Sequence, residues 1–319
     1  WIVLAAYSAF DEEEPNTRRW RVALPILLAV QWLTGAAELA AMATRMVVVG
    51  AMTGIPSSQR RVPVMVWVVA LVVLGIGLAA VQVLPSAEMV LRSERPLQQS
   101  TEASLVWSLH PLRMPEMVVP GFCGPVDVAD PSSRYWGARL VDFGFPYLLS
   151  LYLGASVVLL AVIGWMNARN HPRWRSLLWW LAGLAAAGVA IAVGRHLPLV
   201  GGLLAHLPGI DLLRFPVKAL LLVGLPFALL AGRGVDLLLN ADGVERQRMW
   251  RIGAVIAGVL LLQAVVVWAG LARPLVELLF GETAPVSGGL SVSFVHAGLA
   301  VAGVALVAFA GVHFSVATR

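Results

Sequence analysis

The sequence predicts an all-α fold, a polytopic transmembrane helix bundle of about eight complete spans plus one partial span, with one ordered extracytoplasmic loop region. Three observations predict it. Of 319 residues, 59% are hydrophobic and only 13% charged, against roughly 25% charged in a soluble domain, too few to clothe a water-facing surface. Mean hydropathy is +0.81, and apolar runs of about 18 residues or more recur along the chain. The arginines between those runs alternate between dense and sparse connections, the pattern expected when a bilayer sorts positive charge to one side.

In chain order, residues 1–10 read as the end of a helix whose start is missing, and no charged n-region or cleavage site of a signal peptide precedes them. The segment 21–55 is too long for one span of about 20 residues, and Gly35, followed by Ala36, Ala37 and Glu38, divides it into two helices. Further spans are expected at 63–84, 146–166, 176–194, 215–236, 252–271 and 294–314. This organises the chain as a partial span and three helices over 1–84, an extracytoplasmic loop or lid over 85–145, and a five-helix region over 146–319.

With the break at Gly35, Arg18, Arg19 and Arg21, then Arg60 and Arg61, then Arg169, Arg173 and Arg175, then Arg246, Arg248 and Arg251, and finally Arg319 share one side, which reads as cytoplasmic. The opposite short connections hold Arg195, Arg214 and Arg273, and the long loop 85–145 joins them outside. Scattered arginines of this kind are topology signals, not the continuous basic stripe of a nucleic-acid binder, despite a net charge of +5. A lone Cys123 offers no internal disulfide.

The informative polar residues collect on the outward connections. Glu38 opens a helix, where a carboxylate meets the positive end of the macrodipole; binding of a cation or a sugar hydroxyl is the sharper reading. Arg45 shares its face and reads as structural. Pro85 marks the end of a span, followed by a short amphipathic helix on which Glu88 either pairs with Arg92 at i, i+4 or, like Arg95, faces a cavity. His110, Arg113 and Glu116 precede Pro120, Gly121, Phe122 and Gly124, a lid too rich in Pro and Gly for a long regular element. His110 and Glu116 lack metal-ligand spacing, and no metal site is assigned. Tyr135 and Trp136 read as interfacial anchors.

The loop 195–214 with its flank is the most suggestive stretch: His196, His206 and Asp211 are followed by Arg214, Pro216 and Lys218, the only lysine of the chain. Arg214 and Lys218 form an i, i+4 cationic pair at the N-terminal end of a span, where the dipole disfavours positive charge and an anion would relieve the conflict. The phosphate of a lipid-linked substrate fits, because Arg supplies a fork of donors and a helix start supplies N–H groups; ordinary anionic headgroups fit as well. No Walker A loop, GxGxxG, GxSxG or HExxH occurs, which leaves nucleotide hydrolysis, dinucleotide redox and common hydrolase chemistry unsupported.

Four motifs in order, Gln31-Trp-Leu-Thr-Gly35-Ala-Ala-Glu38, Val81-Gln-Val-Leu-Pro85-Ser-Ala-Glu88 with Ser93-Glu-Arg95, His110-Pro-Leu-Arg113 with Pro120 and Gly124, and Pro208-Gly209 with Arg214-Phe-Pro216-Val-Lys218, resemble the YfhO family of bacterial membrane proteins, of GT-C glycosyltransferase type. The resemblance implies a multi-pass enzyme of the bacterial cytoplasmic membrane that transfers a sugar from a polyprenyl-phosphate donor to an extracytoplasmic envelope glycan, teichoic acid or other acceptor. It implies substrate binding by Arg214, Lys218, Glu88, Arg95, Glu38 and His110, with the catalytic base in an earlier loop, upstream of Trp1. In the implied inverting mechanism that base deprotonates the acceptor, and cationic groups, in some such enzymes with a divalent cation (Mg or Mn), stabilise the departing phosphate. Ala36 and Ala37 depart from the family pattern, in which histidine or proline often follows the glycine. The implied partners are membrane lipids, the lipid-linked sugar and the envelope acceptor, with no nucleic acid. Two alternatives stand beside it: a transporter or flippase of a lipid-linked or anionic substrate, and a non-catalytic membrane subunit that holds protein partners.

Overall fold

In the computed structural model, which describes residues 2–10, 15–54, 58–92, 105–124, 126, 135–171, 175–205, 215–240, 243–280 and 284–317, apolar side chains drive the chain into helices, and no strand forms among the described residues. Two compact units result. One takes in Trp1–Ala103 and Trp179–Leu181, the other Ser104–Leu178, Ala182–Ile210 and Arg214–Arg319.

The first unit contains α1 (Ile2–Ser8), α2 (Thr17–Leu33), α3 (Ala37–Gly54), α4 (Ser58–Leu78) and α5 (Ala80–Arg92). Its core joins Ala5, Leu24, Leu28, Val47, Val68, Leu71 and Val72. Helices α2 and α4 approach closely because Gly75 has no side chain: a Cβ there would lie 2.9 Å from Leu28 Cβ and 3.0 Å from the Pro25 carbonyl oxygen. The expected break at Gly35 is present. Thr34 Oγ1 donates to the Gln31 carbonyl at 2.7 Å, and Gly35 takes the left-handed conformation (φ +77°) that ends α2 without a Cβ clash. The break expected at Pro85 falls instead at Ala79, where the chain bends by 80° between Val62–Leu78 and Ala80–Met89. Pro85, the sixth residue of α5, lies past its first turn, so the helix continues through a position that donates no N–H to the Val81 carbonyl.

The second unit begins with 3₁₀ turns at Pro111–Met117, Trp136–Leu140 and Asp142–Gly144. There follow α6 (Ala155–Ala168), α7 (Arg175–Val193), α8 (Pro198–Ala205), α9 (Leu221–Asn240), α10 (Gly243–Trp268), α11 (Arg273–Phe280) and α12 (Ala284–Ala317). Small residues bring its helices together, as expected where both partners are apolar and dispersion must replace a hydrophobic driving force. On α6 and α9, a Cβ at Gly164 would collide with the Leu230 carbonyl and one at Gly234 with the Leu160 carbonyl. On α10 and α12, Gly253 faces Ala305 and Gly298 faces Leu261. The core runs from Leu159, Ala257 and Val301 to Cys123 and Tyr135 in the turn region. The anchor reading therefore fails for Tyr135, which is buried; Trp136 donates Nε1–H to the Phe122 carbonyl at 2.9 Å.

Among the described residues about eight spans are not supported: four helical stretches are long and apolar enough to cross a membrane, Leu177–His196, Pro216–Asn240, Val244–Trp268 and Gly289–Ala310, or up to five if the bent pair counts as one span. Helix α2 has 17 residues and carries Arg18, Arg19 and Arg21 in its first turns. Helix α3 has 18 residues, and among those with described side chains Leu39–Val48 forms an apolar stretch. The expected span 146–166 shortens to the 14 residues of α6, because residues 146–154 are not helical. Fourteen residues at about 1.5 Å each fall well short of a hydrocarbon core of about 30 Å.

The glycine contacts make a stability prediction. Gly234→Ala places a methyl against the Leu160 backbone and is expected to cost about 1–3 kcal/mol, lowering the thermal midpoint of the detergent-solubilised protein. Gly232→Ala, with nothing within 4 Å of its Cβ, should leave the midpoint unchanged or raise it.

Candidate functional site

A polar and aromatic cluster forms where α7 ends and α9 begins, and backbone geometry explains how the chain builds it. Ser108 Oγ donates to the Leu105 carbonyl at 2.7 Å, and the Leu109 N–H donates to the Ala192 carbonyl at 2.6 Å, stitching the segment 105–109 onto the end of α7. Gly194 (φ +43°) permits that approach: a Cβ there would lie 2.6 Å from Ser108 Oγ. Asp142 closes the arrangement. Its Oδ2 accepts the Trp107 N–H at 2.6 Å, its Oδ1 pairs with Arg195 Nη2, and Trp107 Nε1–H donates to the Phe145 carbonyl at 3.1 Å.

Among the described residues, the non-glycine positions with positive φ are Trp107 (56°), Phe143 (58°) and Phe215 (63°). All three belong to this cluster. Left-handed backbone costs an ordinary residue roughly 1–2 kcal/mol, and such strain persists only where surrounding contacts over-determine it. Here the rings supply those contacts. Trp107 meets Phe143, Tyr147 and Phe215 at centroid distances of 5.6, 5.4 and 4.7 Å, and Tyr147 meets Phe215 at 4.6 Å. Lys218 Nζ lies 5.0 Å from the Phe215 ring centroid and 5.3 Å from that of Tyr147, within cation–π range.

His110 reaches the same place. Its Nδ1 accepts the Leu112 N–H at 3.3 Å, capping the turn Pro111–Met117, and its ring packs edge-on against His196 at 4.8 Å. Burial, and then the positive charge of Arg195, hold the His110 imidazole below its ordinary value of 6.5. It is therefore a neutral donor and acceptor at neutral pH.

Behind the cluster, Arg113 Nη2 and Glu116 Oε2 pair at 2.7 Å with both side chains buried, and the Arg113 guanidinium lies 5.9 Å from the Tyr135 ring centroid. Cys123 lies against the same pair. Burial pushes its thiol and the Tyr135 phenol well up, so neither is a nucleophile or acid at neutral pH. Gly137 admits both groups: a Cβ there would lie 2.6 Å from Cys123 Cβ and 2.9 Å from the Tyr135 hydroxyl. This ion pair is a structural support for the turn region.

The six residues singled out in the sequence distribute as follows. Lys218 and His110 belong to the cluster just described. Glu88 lies exposed on α5 and pairs with Arg92 at 2.6 Å, the i, i+4 contact that its spacing allows. Glu38 is the second residue of α3, with its side chain outside the described residues. Arg95 and Arg214 lie outside the described residues, as do His206 and Asp211. Arg45 is exposed on α3. Sequence reasoning missed Asp142, Trp107, Phe143 and Tyr147. One signal was legible: a single carboxylate, Asp142, between Val141 and Phe143 beside a supposed span. No protein-family model, no curated protein and no solved structure matches this chain.

The depressed imidazole makes a signed prediction. Stability tied to neutral His110 is fully present above about pH 6.5 and is lost as pH falls through the lower folded-state value. The thermal midpoint of the wild type should therefore drop more between about pH 6.5 and 5 than that of His110→Gln, which cannot titrate. Parallel curves for the two proteins would contradict it.

Proposed function

We propose that this chain is a membrane glycosyltransferase-like protein that uses a polyprenyl-phosphate sugar donor on the extracytoplasmic side of a bacterial cytoplasmic membrane, with a cell-envelope glycan or polymer as acceptor. The observation that carries the reading is the gathering of Lys218, Arg195, Asp142 and the His110–His196 pair at the facing ends of two apolar helices long enough to span a bilayer. Cationic and hydrogen-bonding groups at that depth suit the phosphate of a lipid-borne substrate. The ordered motifs that resemble the YfhO family add Arg214, four residues before Lys218.

The arginine distribution supports the assigned side. Arg169 and Arg175 flank one end of the α6–α7 connection, and Arg246, Arg248 and Arg251 open α10, whereas the opposite ends carry Arg195, Lys218 and Arg273. In an inverting transfer Lys218 and Arg195, with Arg214, take up the charge that develops on the departing phosphate, and neutral His110 holds a hydroxyl or phosphate oxygen by hydrogen bonding. A divalent cation such as Mg or Mn belongs to the same reading of the family. Among the described residues no three His, Cys, Asp or Glu side chains lie together as a metal site.

One observation favours a second reading, a transporter or flippase of the same lipid-linked substrate. The 80° bend between α4 and α5 is the form of a broken span or re-entrant loop, and discontinuous helices mark many transport sites.

The test is sugar transfer in membranes supplied with a radiolabelled polyprenyl-phosphate sugar. Arg214→Ala and Lys218→Ala should each reduce transfer at least about tenfold at unchanged levels of folded protein, since a charge-assisted contact is worth roughly 1.5–3 kcal/mol. Unchanged transfer by both variants would remove the phosphate role. Translocation of the labelled lipid without any transfer would select the flippase.

A further inference from the structure

We infer that the second unit carries a lipid-contacting rim, in which Phe143, Leu112, Leu197 and α8 lie in the headgroup and upper acyl layer of the bilayer, so that the neighbouring polar cluster opens to lipid rather than to water. The inference rests on the reading of the long apolar helices as spans. It goes beyond that reading in saying where the turn region sits.

Depth comes from connectivity. The apolar stretch Leu177–His196 ends at His196, and Pro216–Asn240 opens at Pro216, so groups tied to those ends lie at the membrane boundary. Asp142, which carries Phe143, is paired with Arg195; His110, two residues before Leu112, packs on His196; Leu197 follows His196 directly. Three separate parts of the chain are thus held at one level.

Composition says what surrounds them. Phe143 is 81% exposed although one edge of its ring rests on Trp107, and Leu112 and Leu197 are each 43% exposed. Single exposed apolar residues are ordinary, but these share one end of the bundle. Helix α8, Pro-Leu-Val-Gly-Gly-Leu-Leu-Ala, has no polar side chain on any face, and its Leu199 is 91% exposed. A helix without a polar face, starting two residues after a span, has nothing to present to water, and the interfacial layer is the solvent that accommodates it.

Backbone strain agrees. Phe143 holds positive φ, and Gly144 after it also has positive φ (+71°), while Asp142 is fixed on both carboxylate oxygens. The chain therefore spends strain to hold an apolar ring outward, an arrangement that insertion into lipid offsets and water does not.

The rim is tested by depth-dependent quenching. The native Cys123 is fully buried, so a thiol-reactive environment-sensitive dye selects a cysteine introduced as Phe143→Cys, Leu199→Cys or, as a mid-span reference on α10, Val255→Cys. Each labelled protein is reconstituted in phosphatidylcholine vesicles carrying a nitroxide high or low on the acyl chain, or is exposed to aqueous iodide. Labels at 143 and 199 are expected to be quenched at least about twofold more by the high nitroxide than by the low one and to be shielded from iodide, with the reverse depth preference at 255. Free quenching of 143 and 199 by iodide, with 255 in lipid, would overturn the rim and point to a water-borne ligand while leaving the spans intact. Iodide quenching at 255 as well would overturn the spans, and the rim with them.

Discussion

The carboxylate of Asp142 bonds to two other pieces of the second unit at once. One oxygen accepts the Trp107 N–H and the other pairs with Arg195, so the segment after residue 105, the turn at 142–144 and the end of α7 are fixed to one another by two charge-assisted contacts. Asp142 is mostly withdrawn from solvent whereas Arg195 is two-fifths exposed, so the pair acts in an environment where its geometry matters more than its net Coulomb energy. Its consequence is positional. With Trp107 held, Phe143, Tyr147 and Phe215 have a ring to pack on, and Lys218 has aromatic faces beneath its ammonium group.

A second constraint is helix length: a helix needs about 20 apolar residues to be long enough to cross a bilayer, and among the described residues four helical stretches reach it. Helix α6 is too short to cross but packs through Gly164 and Gly234 against α9, and so helps to hold the helix that follows the 3₁₀ turn Pro216–Leu220, which carries Lys218. The buried Arg113–Glu116 pair serves the turn region in a similar way. Breaking such a pair on one side strands a charge, so both members bind the turn more tightly than their modest net energy suggests.

The sequence made the helical class, the break at Gly35 and the Glu88–Arg92 contact legible, because hydropathy, a left-handed glycine and i, i+4 spacing are all local signals. The number of spans was not legible. Residues 146–154 are as apolar as a helix requires, yet Pro146 and Gly154 (φ +109°) bracket a stretch that is not helical, and only tertiary contacts such as the Leu153 N–H to the Met117 carbonyl show where it goes. Likewise the bend at Ala79 has no breaker at its own position, whereas Pro85, the obvious breaker, is absorbed by α5. Of the candidate site, Lys218 and His110 could be read from charge in an apolar context. The role of Asp142 could not, because its partners lie 35 and 53 residues away in the chain.

The most direct test of this account is amide hydrogen exchange of the reconstituted protein with and without Asp142→Ala. If Asp142 anchors the cluster, exchange at Trp107 and Leu109 should accelerate by about tenfold or more, as local opening there loses its restraint, while the paired helices α10 and α12 keep their protection. Unchanged exchange at Trp107 and Leu109 in the variant would contradict it and leave the aromatic cluster without its proposed foundation.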